Sequence, residues 1–236
     1  MKCYRCNSWP CQCKDGIALV HGDCREVLPR LATHAPDTLI TDPVWPDAST
    51  QLAGADRPRD LFKEAIWLMK WLTRAAIHIG CDSNPDFLNP VNEYLTFFRV
   101  CWLEVVRPHY KGRLMYGSDV AYLYGEPPIS VPGQHVIPGR YTDTSSDGKQ
   151  ADHPCPRKIA HVRWLVRWWS EPDDLICDPF CGSGTTLRAA KDLGRRAIGI
   201  EIEEKYVEIA AKRLEQQVLP FGDSLNKSTD EQRSLI

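Results

Sequence analysis

The stretch from Leu175 to Glu201 leaves this chain little choice of architecture. Leu175-Ile176-Cys177-Asp178 reads as a short apolar strand, Pro179 to Gly184 as a glycine-containing turn, and Thr185 to Leu193 as a helix closed by Gly194; Ala197-Ile198-Gly199-Ile200-Glu201 is the next strand. Two strands joined by one helix pair in parallel through a right-handed crossover, and a parallel sheet needs helices over both faces. An α/β fold with a doubly wound sheet follows, and 236 residues hold one such domain comfortably.

The rest of the chain supplies matching pieces. Ile17 to Asp23 is an apolar run ending in a turn, Cys24 to Leu31 fits a short helix, and Asp37 to Asp42 is a strand with an acid at its end. Pro43, Pro46 and the polar residues up to Pro58 forbid regular structure directly after that acid. Leu61 to Ala76 repeats apolar residues at helical spacing, Ala76 to Gly80 reads as a strand, and Asn92 to Phe98 suits a helix. Arg99 to Arg107 and Ala121 to Tyr124 are strands of a hairpin, and Glu126 to Asp152 is a surface loop rich in Pro, Gly, Ser, Thr and Asp. Arg157 to Ser170 and Glu204 to Gln217 are helices, and the residues from Gly222 on read as a flexible tail. The expected organisation is a Cys-rich segment (1–14) and one domain (15–221). That domain divides into an early half (15–125), a loop (126–152) and a late half (153–221).

Composition narrows the function. Hydrophobic residues at 43% and charged residues at 25% exclude wholesale disorder. Twenty-nine basic against 31 acidic residues exclude a protein that holds nucleic acid by bulk charge, though not one with a local basic face. No apolar stretch reaches the ~18 residues of a membrane span, and no apolar h-region follows the N-terminal Met-Lys-Cys-Tyr-Arg-Cys. A soluble cytoplasmic protein without membrane contact is expected.

Ten cysteines are present, four of them within the first thirteen residues: Cys3, Cys6, Cys11 and Cys13. Without a secretory signal, four close thiols read as a metal site rather than disulfides. Four thiolates close a tetrahedral shell around Zn2+, whose binding supplies folding energy to a segment too short to have a core. With no open position, such a zinc is structural. The alternative is a reduced, partly ordered arm.

Asp178-Pro-Phe-Cys-Gly182-Ser-Gly184-Thr-Thr186 lies where a doubly wound sheet binds ligands, at a strand's carboxyl end before a helix N-terminus. Glu201 ends the neighbouring strand, a position from which an acid grips ribose hydroxyls. The turn lacks the G-K-[ST] of a triphosphate loop and the third glycine of a dinucleotide fingerprint, which argues against a nicotinamide oxidoreductase. D-P-F-C-G-S-G-T-T, followed by A-A-x-x-L-G-R-R-A-I-G-I-E and a Tyr on the next helix, resembles the S-adenosylmethionine-binding half of amino-directed DNA methyltransferases, which make N6-methyladenine or N4-methylcytosine. The resemblance implies that Asp178, Phe180 and Gly182 hold the cofactor's methionyl part and Glu201 its ribose, with Pro179, Gly184, Thr185 and Ile202 also in contact with the cofactor. His153-Pro-Cys-Pro-Arg157 is similar to the family's H-P-T-x-K element, which implies cofactor contacts for His153 and Arg157, with Arg at the Lys position.

Asp42-Pro43-Val44-Trp45 resembles the family's target-base motif [D/N/S]-P-P-[Y/F/W], with Gly22-Asp23-Cys24 upstream. An exocyclic amine conjugated to its ring is a poor nucleophile, so a carboxylate and a backbone carbonyl must accept its hydrogens, and the flipped base needs an aromatic ring to stack on. The resemblance thus implies Asp42 and the Pro43 carbonyl as acceptors, Trp45 as the stacking ring, Asp42 also beside the cofactor, and Asp23 near the cofactor's adenine. Val44 departs from the pattern, in which a second proline stiffens the loop. A catalytic motif placed before the cofactor loop is the permuted arrangement of the beta class, and implies a Rossmann-like class I sheet of seven strands. With Asp rather than Ser at the head of the motif, the resemblance also implies adenine N6 in preference to cytosine N4.

The loop 126–152, with Gln134, His135 and Arg140, is the candidate for reading double-stranded DNA. Two basic runs, Arg99, Arg107, His109, Lys111 and Arg113 with Trp102 and Tyr110, and Arg157, Lys158, Arg163 and Arg167, are candidate phosphate tracks. The helix around Trp164, Trp168 and Trp169 reads as core or as a homodimer contact. A same-fold enzyme acting on RNA or a small molecule, or an inactive nucleic-acid-binding relative, remains an alternative.

Overall fold

In the computed structural model, residues 1–46, 52–81, 83–128, 138–144 and 157–217 are described. Strand β1 (Ile17–His21) leads into a one-turn helix α1 (Cys24–Val27) capped by the Asp23 carboxylate, which accepts from the Arg25 amide. Pro29 then turns Leu28–His34 into a 3-10 helix, so the expected helix 24–31 is α-helical only in its first turn. After β2 (Thr38–Thr41) and a loop comes α2 (Pro58–Trp67), with proline in its first turn.

The helical spacing over 61–76 overreaches, because β3 begins at Arg74. Its residues pair on both sides, with β2 and with β5 (Leu114–Gly125), and that pairing overrides local periodicity. Likewise the helix expected at 92–98 lies earlier. Asn84 caps a 3-10 turn at Pro85–Leu88 that runs into α3 (Asn89–Asn92), and the aromatic pair Phe97 and Phe98 opens β4 (Phe97–Lys111) instead.

Strands β4 and β5 form the expected hairpin, longer than its sequence signal, turning at Gly112 with φ +60°. β6 (Arg140–Asp143) lies inside the stretch expected to be loop and pairs in parallel with β4. The chain then runs through α4 (Ile159–Trp169), β7 (Leu175–Asp178), α5 (Thr185–Asp192), β8 (Arg196–Glu201) and α6 (Glu204–Glu215).

The sheet order is β1-β8-β7-β2-β3-β5-β4-β6. Its first seven members are the permuted seven-stranded sheet, and β6 adds an eighth strand at one edge. Alternate residues of β1 serve opposite faces: Ala18 and Val20 join the layer that holds α1 and α2, while Ile17 and Leu19 join the layer of α4, α5 and α6. Burial on both faces explains why the parallel strands read as unbroken apolar runs. Trp169 is fully buried and Trp164 nearly so, which makes the tryptophan-rich helix a core element.

The N-terminal segment packs along β1, the opposite edge. The Tyr4 amide donates to the Leu19 carbonyl at 2.6 Å, and Arg5 Nη1 to the Ile17 carbonyl at 2.9 Å. Arg5 is also held by both oxygens of Asp15, at 2.8 and 2.7 Å. Among the described residues, no helix is long and apolar enough to cross a membrane.

Candidate active site

Strands β7 and β2 are parallel neighbours whose onward connections diverge, β7 to β8 on one side and β2 to β3 on the other. At such a switch point the loops separate and leave a crevice at the strands' carboxyl ends. A cavity of about 340 Å³ occupies it, within the roughly 300–1,000 Å³ of small-molecule sites.

Most residues singled out in the sequence line this one cavity: Asp23 after β1; Asp42, Pro43 and Trp45 after β2; Asp178, Pro179, Phe180, Gly182 and Thr185 after β7; Glu201 and Ile202 at β8; and Arg157 before α4. Gly184 does not line it. It takes φ +78° at the start of α5, and a Cβ there would meet that of Ala210 at 2.8 Å, so its bareness lets α6 close on the loop. His153 lies outside the described residues, as do Gln134, His135 and the tail from Gly222.

On the cofactor side, Asp178 is 3% exposed and accepts from the Thr41 hydroxyl at 2.7 Å and the Phe180 amide at 3.2 Å. Burial pushes its carboxyl up to about 6 against these hydrogen bonds. Glu201 accepts from the amides of Gly182 and Glu203, each at 2.8 Å, and burial raises its carboxyl as well. It thus ties the glycine turn to the end of β8 while keeping acceptor capacity for a ligand's hydroxyls. Arg213 on α6 donates to the Ser183 carbonyl at 2.8 Å and holds the turn from behind. Two buried carboxylates flanking a glycine turn, open to a cavity of this size, fit S-adenosylmethionine.

On the other side, Trp45 Nε1 donates to Asp42 Oδ1 at 3.0 Å, so the ring is fixed by the carboxylate three residues before it. Arg157 donates to both oxygens of Asp42, Nε to Oδ2 at 2.7 Å and Nη2 to Oδ1 at 3.1 Å, and its guanidinium lies 4.2 Å from the centre of the Trp45 ring. A third donor, Nη1, reaches Asp119 Oδ2 at 2.8 Å, where His78 Nε2 also approaches at 3.3 Å. Burial alone would raise the Asp119 carboxyl, but His78 and Arg157 hold it well below the usual carboxylate range. Nothing in the sequence reading pointed to His78 or Asp119. They meet through the antiparallel register of β3 and β5, in which Gly80 faces Asp119. Asp23 is engaged by Arg25, with Nη2 at 2.5 Å from Oδ2, and keeps its place on the rim of the cavity.

The four N-terminal sulfurs lie within 4.8 Å of one another, with Cys6–Cys11 at 3.8 Å and Cys3–Cys13 at 3.9 Å. Sulfurs about 2.3 Å from a tetrahedral centre stand about 3.8 Å apart, far beyond a disulfide's ~2.05 Å. The amides of Gln12 and Cys13 each point at a sulfur, of Cys6 and Cys11, from 3.4 Å, and such bonds steady thiolate ligands. The donor set fits zinc.

Residues 44–212 match the DNA methylase family. The chain is 55% identical over 87 residues to the type II methyltransferase M.HinfI of Haemophilus influenzae, a segment that is 37% of this chain and 24% of that relative. It is 26% identical over 208 residues to YubD of Escherichia coli (strain K12), named as a methylase, covering 83% of this chain and 88% of the other. The crystal structure of the M1.HpyAVI–SAM complex superposes with a TM-score of 0.69 at 22% identity, over 85% of this chain and all of that one.

Proposed function

The chain belongs to the S-adenosylmethionine-dependent DNA methyltransferases of the N6-adenine/N4-cytosine family, with permuted strand order, and from that premise we propose that it transfers a methyl group to the exocyclic amine of a flipped base in double-stranded DNA, N6 of adenine in preference to N4 of cytosine. The observation that carries the reading is that one cavity joins the Asp42–Trp45 loop to the Asp178–Glu201 loops. The cofactor's contribution is an electrophilic methyl on its sulfonium.

The protein's residues do the rest. Asp178 and the glycine turn bind the amino-acid end, and Glu201 takes the ribose hydroxyls. Trp45 stacks the base, while Asp42 and the Pro43 carbonyl accept the amine's hydrogens. With its lone pair released, the nitrogen would be held in line for the methyl group that S-adenosylmethionine, seated by Asp178, the glycine turn and Glu201, would supply, and Asp42 would take the amine's surplus proton. Holding the two reactants in line supplies much of the acceleration. Zinc on Cys3, Cys6, Cys11 and Cys13 belongs to the same proposal as a structural ion, supported by the sulfur spacing.

The test is to incubate the protein with S-adenosylmethionine and unmethylated DNA, digest to nucleosides, and quantify methylated bases by mass spectrometry beside Asp42→Ala. N6-methyladenine that disappears in the variant, with cofactor affinity kept within about threefold, is the expected result. Full turnover by the variant would remove Asp42 from the mechanism. Methylation of cytosine alone would overturn the adenine preference.

A further inference from the structure

Resting on the assignment of Asp42 and Trp45 to the target base, we infer that Arg157 is a resident occupant of the base seat, and that this occupancy makes it a specificity-determining residue. A base with an exocyclic amine must offer this seat two things: a planar face for the Trp45 ring and N–H donors for the Asp42 carboxylate. Arg157 offers both. Its planar guanidinium lies 4.2 Å from the ring centre, and both carboxylate oxygens already accept from it, at 2.7 and 3.1 Å. Stacked, bidentate arginine is a strong competitor for such a position.

A base entering to stack on Trp45 must move the guanidinium off the face of that ring. The second anchor, Asp119 at 2.8 Å from Nη1, gives the displaced guanidinium a charged partner to settle on. Among the described residues, His78, at 3.3 Å from the same oxygen, also faces that anchor, and the His161 ring centre lies 6.4 Å from that of His78. The exchange is selective. Adenine or cytosine replaces both the face and the donors. Thymine brings the face without an exocyclic amine and leaves the Asp42 charge unpaired, so Arg157 returns.

The measurement is equilibrium binding of adenosine, with thymidine as comparison, by titration calorimetry on the full chain saturated with the cofactor analogue sinefungin, so that the nucleoside cannot enter the cofactor end. If the seat is free about a tenth of the time, removing its occupant tightens binding about tenfold. Arg157→Ala is therefore expected to bind adenosine about tenfold more tightly and to lose much of its preference over thymidine. Asp119→Asn, which removes the charge of the second anchor, should move the other way and weaken adenosine binding. Opposite signs from two members of one network are what a merely structural role would not produce. Arg157→Lys keeps the charge without the plane and should fall between wild type and Ala; it carries the test if the Ala variant does not fold. Unchanged or weaker adenosine binding in both Arg157 variants would overturn the inference and make Arg157 part of the seat. If Asp42→Ala, added to Arg157→Ala, leaves adenosine binding unchanged, the failure belongs instead to the assignment of Asp42 to the base.

Discussion

A carboxylate buried at a strand end costs stability even when well bonded, and Asp178 illustrates the cost. Its folded value of about 6 lies above the ~3.9 of an unfolded aspartate. Between about pH 4 and 6 the folded state therefore holds the extra proton, so stability falls as pH rises through that window, and the whole cost is present above it. Asp178→Asn should accordingly melt no lower than wild type at pH 7.5 while losing cofactor affinity more than tenfold, read by thermal unfolding and calorimetry. In the wild type, cofactor affinity should weaken as pH drops below about 6, because a protonated Asp178 no longer attracts the cofactor's ammonium. Flat affinity from pH 5 to 8 would take Asp178 away from that group. Asp42, Trp45, Asp178 and Glu201 were readable in the sequence because each sits in a short motif whose residue types the chemistry dictates. His78 and Asp119 were not, since strand register alone brings them together across 41 positions. Arg157 was read as a cofactor contact; its contacts with Asp42 and Trp45 were not legible, because those partners lie far away in the chain.

Elements were legible where they begin or end on a backbone-specific residue. α5 is preceded by Gly184 and followed by Gly194, both with positive φ. Boundaries failed where pairing partners set them, as at Arg74 and Phe97. β6 was hidden because a four-residue edge strand needs β4 beside it to exist. The N-terminal knot has an element-scale role in turn. β1 is the outer strand of the sheet, and two of its carbonyls, Ile17 and Leu19, are satisfied by Arg5 and Tyr4 of the knot. Unprotected, such an edge is a template for another chain. Chelation with a zinc-selective reagent, or Cys6→Ser with Cys13→Ser, should therefore lower the melting temperature and bring on aggregation seen by light scattering. A chelated protein that stays free of aggregates and melts unchanged would mean that the knot holds its shape without metal. Gly184→Ala should cost roughly 1–3 kcal/mol, combining backbone strain with the contact at Ala210.

At the scale of the molecule, the permuted order divides the cavity between distant parts of the chain. Asp23 and the Asp42–Trp45 loop come from its first fifth, whereas the Asp178–Thr185 turn and Glu201 come from its last third. The sheet makes them one site, because β7 pairs with β2, and β8 with β1. A ligand bound there touches both ends of the chain at once, so its binding energy must appear as stability of the whole sheet rather than of one half. At a cofactor concentration one hundred times its dissociation constant the gain is about 2.7 kcal/mol, or about 5–10 °C in melting temperature for a domain of this size. The expectation is a single unfolding transition, followed by both near- and far-ultraviolet circular dichroism, that moves upward intact with S-adenosylmethionine or sinefungin. Two transitions, of which the ligand shifts only one, would show that the early and late halves melt independently. Shared strands would then not suffice to make the permuted chain one cooperative unit, and the coupling of base seat to cofactor would have to come from the ligands themselves.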